Sequence, residues 1–451
     1  MENTLLLLGS TAFSILLLLV LILWLRLHAF IALLVISIFL GVTLGLPYNE
    51  IVGAIQQGMG GTLGFVATVV GIGAIFGQVL ESSGGTEAIA RSLIRYFGEK
   101  KAHWSLMIAG FMIAIPIFFD VGFILLIPIV QVLARETKKS VVLYAIPLLA
   151  GLAVTHSFVP PTPGPVAVAD MIGAELGWVI LMGFIVGIPT AIIAGPIYGQ
   201  WISRYIHPTL PIVADQAENE DNTSLPSFWL VSSIILVPLV LMISGSLVEF
   251  ASKQGYISNP PLVSLISFLG HPFVALLIST FIGLYILGIR RGFSAKILQE
   301  LSNKALAPAG MIVLITGAGG VFKQMLIVSG VGTALASSMS DLGIPVLLLA
   351  FVIAALVRVS LGSASVSMIT AAGIIGPVLE MISIDAPHRA LVVIAIASGA
   401  TVLSHVNDSG FWLVGKYLGL TESQTLKTWT VMETIIGVVG FLITALLYVL
   451  I

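Results

Sequence analysis

Cysteine is absent from these 451 residues, and charge is scarce, with Asp, Glu, Lys and Arg together making 9%. The first absence excludes disulfides, thiolate metal sites and a cysteine nucleophile. The second, set against 58% hydrophobic residues and a mean hydropathy of +1.12, excludes a water-soluble globule. A net charge of −2 offers no basic field for nucleic acid. What is present is a series of long apolar runs, such as Leu5 to Leu25 and Thr430 to Ile451, so the chain reads as an all-α polytopic membrane protein. No Lys or Arg precedes the first run and no small-residue cleavage site follows it, which predicts a retained helix and not a signal peptide. The expected location is an energised membrane, the bacterial inner membrane, with the lipid bilayer as the chain's main partner.

The runs fall into two similar sets. The first comprises about 4–25, 28–46, 60–82, 104–134, 140–174 and 176–201; the second about 228–248, 270–289, 308–328, 344–378, 388–415 and 428–451. The sequence therefore divides into a first repeat, 1–207, a polar linker, 208–227, and a second repeat, 228–451. Aligning Gly71–Leu93 with Gly317–Met339 makes ten of the 23 paired residues identical without a gap. Further on, "FMIAIPIFFDVG" (111–122) matches "FVIAALVRVSLG" (351–362), which places Asp120 opposite Ser360 and Gly122 opposite Gly362, and Thr155-His156 falls opposite Ser404-His405. Duplication with polar residues in matching places is the pattern of secondary transporters, whose sites lie at the midplane between repeats.

Two segments in each half are too long or too interrupted for a single span. Residues 104–134 would form a helix of about 46 Å against a hydrocarbon core of roughly 30 Å. A re-entrant hairpin turning at Asp120 to Gly122 resolves this, and 344–378 is read the same way, turning at Ser360 to Ser363. Arg91, Arg95, Lys100 and Lys101 precede the first hairpin while Arg135, Lys138 and Lys139 follow it, which puts both flanks in the cytoplasm. Each half then crosses the membrane five times, so the repeats are expected to be inverted. Segments 140–174 and 388–415 are broken by "THSFVPPTPGP" and "SHVNDSG". Irregular backbone at membrane depth survives only where protein or a watery cavity surrounds it, so four non-helical tips should converge.

The polar residues at these tips suit a hydroxylated carboxylate. Helix N-termini favour an anion, and Ser, Thr, Asn and His side chains suit hydroxyls. The candidate substrate-binding set is Arg358, Ser360, Gly362, Ser363, His156, Thr162, His405, Asn407 and Ser409. Asp120, then Asp408, are the candidate proton-coupling acids, and no metal or cofactor is called for beyond a proton gradient. Arg358 is assigned to the substrate carboxylate through paired N–H donors, with an ion pair to Asp120 or Asp408 as the competing role. Lys323 is expected to snorkel at the outer end of its span.

The four motifs "FFDVGF" (118–123), "VPPTPGPVA" (159–167), "RVSLGSASVS" (358–367) and "HVNDSGFWLV" (405–414), in this order and spacing, resemble the gluconate:proton symporter family of the ion-transporter superfamily. The likeness runs through essentially the whole chain. It implies proton-coupled import of gluconate or a close sugar acid by a homodimer with an elevator-like moving domain. Carriers of D-serine share the scaffold but lack an arginine matching Arg358, which turns the resemblance toward sugar acids. Another small hydroxylated carboxylate, such as D-serine or glycerate, is the alternative cargo. An intramembrane hydrolase is disfavoured because a catalytic triad is one asymmetric constellation, whereas polar residues recur here in both halves.

Overall fold

Side-chain caps and prolines decide where the helices begin. Asn259 accepts the Leu262 N–H at 3.3 Å just before Pro260, Ser294 accepts from Ile297 at 3.3 Å, and Asp385 accepts from His388 at 3.0 Å. The computed structural model describes residues 2–208, 225–331, 334 and 345–451, and among these there is helix and no strand. Eight of the described helices are long and apolar enough to cross a membrane, where a helix satisfies its own backbone groups. The expected linker, 208–227, falls mostly on 209–224, outside the described residues.

The first half runs α1 (Glu2–Leu23), α2 (Ala29–Thr43), α3 (Tyr48–Ser82), α4 (Gly85–Phe97), α5 (Ala102–Ile113), α6 (Phe119–Thr137), α7 (Val142–Phe158), α8 (Pro163–Ile172) and α9 (Leu176–Ile192). A π turn, Ile193–Ile197, carries α9 into α10 (Tyr198–Ile202). The second half runs α11 (Phe228–Lys253), α12 (Pro260–Gly270), α13 (Pro272–Gly283), α14 (Ala295–Val328), α15 (Val346–Leu361), α16 (Ala364–Met381), α17 (Ala386–Gly399), α18 (Ser409–Leu418), α19 (Glu422–Thr425) and α20 (Val431–Leu450).

Helices α3 and α14 depart most from the hydropathy reading, with 35 and 34 residues where spans of 60–82 and 308–328 were expected. Their first turns carry Asn49, Glu50, Gln56 and Gln57, and Lys296, Gln299, Glu300 and Lys304. Polar residues of this kind end an apolar run without ending a helix. The two helices pack on each other, with Gly58 against Gly320. A Cβ on Gly58 would lie 2.5 Å from the Gly320 carbonyl oxygen, so only glycine permits this crossing. Helices α4 and α12 were not anticipated, one being amphipathic and the other a short apolar piece.

The chain folds back twice. Helices α5 and α6 are joined through residues 114–118, and α15 and α16 through Gly362 and Ser363 alone. In both halves the first arm of this hairpin packs on the helix that opens the next broken segment, α5 on α7 and α15 on α17. The halves also interlock, since α16 lies against α8. The broken segments separate at Val159–Thr162 and at residues 400–408, and their second pieces, α8 and α18, are both ten residues long. Each ends on a left-handed glycine, Gly173 (φ 69°) and Gly419 (φ 67°).

The turns differ in detail from the expected tips. Asp120 and Gly122 lie in the first turn of α6, because an acid is favoured at a helix N-terminus and Pro116 stops α5 earlier. Thr155 and His156 are still helical, in the last turn of α7. Ser360 lies inside α15, its Oγ donating to the Leu356 carbonyl at 2.8 Å.

Candidate functional site

A cavity of about 540 Å³ opens where the broken elements meet. Its wall is contributed by the start of α6, by α7, by both sides of the Gly362 turn, by the 407–410 stretch and by Trp429 and Glu433. Pro308 and Ile312 of α14 close one side. The volume is within the roughly 300–1,000 Å³ range of small-molecule sites. The N-termini of α6, α16 and α18 all begin at this wall, since their N-cap residues Phe118, Ser363 and Asp408 line it. A helix start presents unpaired N–H groups and the positive end of its dipole.

Arg358 and Asp408 form the ionic centre of the wall. The Arg358 Nη2 donates to Asp408 Oδ2 at 2.6 Å, and its Nη1 donates to the Gly362 carbonyl across the turn. Only 3% of the arginine side chain is exposed. Asp408 is held in return: Oδ1 caps α18 through the Gly410 N–H at 3.0 Å, and Oδ2 also receives the Ser404 hydroxyl at 2.5 Å. Ser404 is held by the Trp429 indole at 2.7 Å. The competing role foreseen for Arg358, an ion pair with Asp408, is therefore the one this geometry displays. Asp408 acts as a cap and counter-ion, with three donors on its two oxygens.

The end of α15 is satisfied by the opposing strand of irregular backbone. Asn407 Nδ2 donates to the Val359 carbonyl at 2.9 Å and to that of Ser360 at 3.3 Å, while His405 Nε2 lies 3.0 Å from the same Val359 oxygen. These are carbonyls that the end of a helix leaves without an internal partner. Gly362 turns the chain at φ +79°, and a Cβ there would sit 2.2 Å from the Asn407 carbonyl oxygen.

The structure thus brings Asp120, His156, Arg358, Gly362, Ser363, Asn407, Asp408 and Ser409 to one cavity. Ser360, Thr162 and His405 are not in its lining. Thr162 instead donates to the Val159 carbonyl at 2.7 Å and lines a small separate pocket with Gly73 and Pro116. Three of the four expected tips converge. The fourth, His156 to Gly164, is split: His156 and Ser157 line the cavity, whereas Thr162 is turned away where Pro163 starts α8. Asp120 is open to the cavity and makes no hydrogen bond or ion pair among the described residues. The His156 Nδ1 is buried without a partner. Lys323 does not snorkel free but pairs with Glu380 at 3.0 Å, joining α14 to α16.

Sequence reasoning missed Glu433. It lies on α20, 3% exposed, lines the cavity, and its Oε1 has no partner. The available signal was a lone acid within the apolar run Thr430 to Ile451, since an ionisable residue at such depth is a functional hypothesis by default.

The sequence profile described as GntP family permease matches residues 5–451. The chain belongs to that family. A gluconate permease of Pseudomonas aeruginosa is 44% identical over 432 residues, covering 95% of each chain. The low-affinity gluconate transporter of Escherichia coli is 42% identical over 441 residues, 98% of each, and that organism's Gnt-II system L-idonate transporter is 36% identical over 96% of each. In three dimensions the chain is similar to the crystal structure of the Alcanivorax borkumensis YdaH transporter, described as having an unusual topology. The TM-score is 0.66 over 93% of this chain and 96% of the other, at 16% identity, so that likeness concerns the fold. This permease is a multi-pass protein of the bacterial inner membrane and a transporter, not an enzyme.

Proposed function

We propose that this permease imports gluconate or a closely related sugar acid together with protons. Two relatives carry gluconate in their names and a third L-idonate, which favours the aldonate class. The observation that carries the reading is the charge inventory of the cavity. Arg358 and Asp408 cancel each other, no other Lys or Arg among the described residues lines the wall, and Asp120 and Glu433 are both acids. An anion entering beside two ionised carboxylates meets repulsion that protons remove, so anion and proton favour each other's binding.

The substrate carboxylate is assigned to the amides at Ala364, Ser365 and Ser409, at the starts of α16 and α18, with the Arg358–Asp408 pair behind them. The hydroxyls of Ser363 and Ser409 and the amide of Asn407 face the polyol. Asp120 exchanges the proton with cavity water. Inverted repeats, with hairpin flanks on opposite faces, suit alternating access by an elevator-like movement, and a homodimer supplies the fixed frame.

The deciding experiment is uptake of labelled gluconate into proteoliposomes under an imposed proton gradient or an imposed sodium gradient. Accumulation with the proton gradient alone is expected, and accumulation with sodium alone would overturn the coupling. Labelled L-idonate and D-serine in the same assay rank the cargo, and stronger uptake of D-serine would move it out of the sugar acids. Orientation is tested by single cysteines in this cysteine-free chain: an impermeant thiol reagent on intact cells should label Ser383→Cys and not Lys100→Cys.

A further inference from the structure

We propose that the carboxyl of Glu433 is a proton-binding site, the place where the coupling proton is kept while the substrate cavity is closed to water. The inference rests on the proton-coupled reading above and adds to it the residue that stores the proton. Two acids without a partner line the cavity, and their settings differ. Asp120 is exposed in the first turn of α6 and exchanges with cavity water. Glu433 is 3% exposed and accepts no hydrogen bond among the described residues, with Oε1 sealed off and the residue still part of the cavity wall. An ionised carboxylate so placed costs several kcal/mol unless it is paired, and a bound proton removes that charge.

The neighbours do not supply the missing pair. On the cavity wall the charged and titratable groups near Glu433 are Arg358, Asp408, Asp120 and His156. Arg358 is committed to Asp408 and to the Gly362 carbonyl. Helix α9, which packs on α20, contributes no titratable residue, and α17 has His388 and Arg389 at its far end, on Asp385 and on the Ile172 carbonyl. In the π turn before α20, Lys427 is exposed, and its carbonyl is taken by the Tyr198 hydroxyl of α10. The step is a plain transfer: cavity water gives a proton to a Glu433 carboxylate oxygen as the anion enters, and the O–H bond breaks to water on the opposite side after the anion leaves.

The test uses the full-length protein in liposomes with a trapped pH dye, reading protons moved per labelled gluconate. Wild type is expected to acidify the lumen with gluconate entry. Glu433→Gln is expected to move gluconate down its gradient with the proton ratio falling to zero, and Glu433→Asp to restore part of the ratio. The gluconate affinity of wild type should fall about tenfold per pH unit above the titration of the site, and that slope should flatten in Glu433→Gln. Should the glutamine variant fail to fold, infrared difference spectra of wild type decide, since gluconate must raise a protonated-carboxyl band. A Glu433→Gln protein that still moves protons at the wild-type ratio, or wild-type spectra without such a band, overturns the storage role and leaves proton symport standing. Wild type moving gluconate with no proton overturns both.

Discussion

The two hairpins share a plan and spend their polar residues in opposite ways. At the α15–α16 turn every charge is bound: Arg358 holds Asp408 and the Gly362 carbonyl, Ser363 caps α16, and Asn407 and His405 cover the end of α15. At the α5–α6 turn the N-cap, Phe118, offers no side-chain acceptor, and Asp120 faces the cavity without a partner. One turn is a joint whose charge serves the fold, and the other carries a charge free to respond to its surroundings. Two hairpins of similar layout thus differ, one fixed and one responsive, by the residues at their turns.

The largest expected effect tests the fixed half. Arg358→Met leaves the largely buried Asp408 without its cation and should cost about 3–5 kcal/mol, read as a lowered melting temperature in detergent. Adding Asp408→Asn should recover part of that loss, and an Arg358→Met protein melting like wild type would end the structural assignment. Gly362→Ala comes next, at about 1–3 kcal/mol for a non-glycine in the left-handed region, with a further clash against Asn407. Gly122→Ala at the other hairpin, where φ is not left-handed, is the matched control and should cost less.

Lys323→Met breaks an ion pair whose members are 20% and 40% exposed, and about 0–1 kcal/mol is expected from the melting curve. A loss as large as that of Arg358→Met would mean that the α14–α16 contact, and not the Gly362 turn, holds the second hairpin. The smallest stability change belongs to the responsive half. Asp120→Asn should melt within about 0.5 kcal/mol of wild type, because no contact is lost. Its transport should change all the same, with proton-driven accumulation suffering more than counterflow. If Asp120→Asn destabilises the protein as Arg358→Met does, the contrast between the hairpins is gone.

Legibility followed the range of each interaction. The run of apolar segments and the placing of Asp120, Arg358 and Asp408 at or beside interruptions are local properties, and the chain spells them out. Helix ends were misread wherever a polar first turn continued a helix beyond the membrane stretch, as at Tyr48 to Met59 in α3. The first break was misread because "PPTPGP" announces irregular backbone but not how soon Pro163 restarts a helix.

Composition and pattern alone fixed the solvent, because 58% hydrophobic residues in long runs leave a membrane as the only place to bury them. They also fixed which residues were costly enough at that depth to need a reason. Whether each such residue is paired or free was decided by the tertiary structure. Arg358 meets Asp408 across 50 positions of sequence, Glu433 reaches the cavity wall from the last helix with no cation to meet it, and Thr162 is turned away into a pocket of its own. The energy of a buried charge depends on what stands within a few ångströms of it, and a sequence orders residues along a chain without giving those distances.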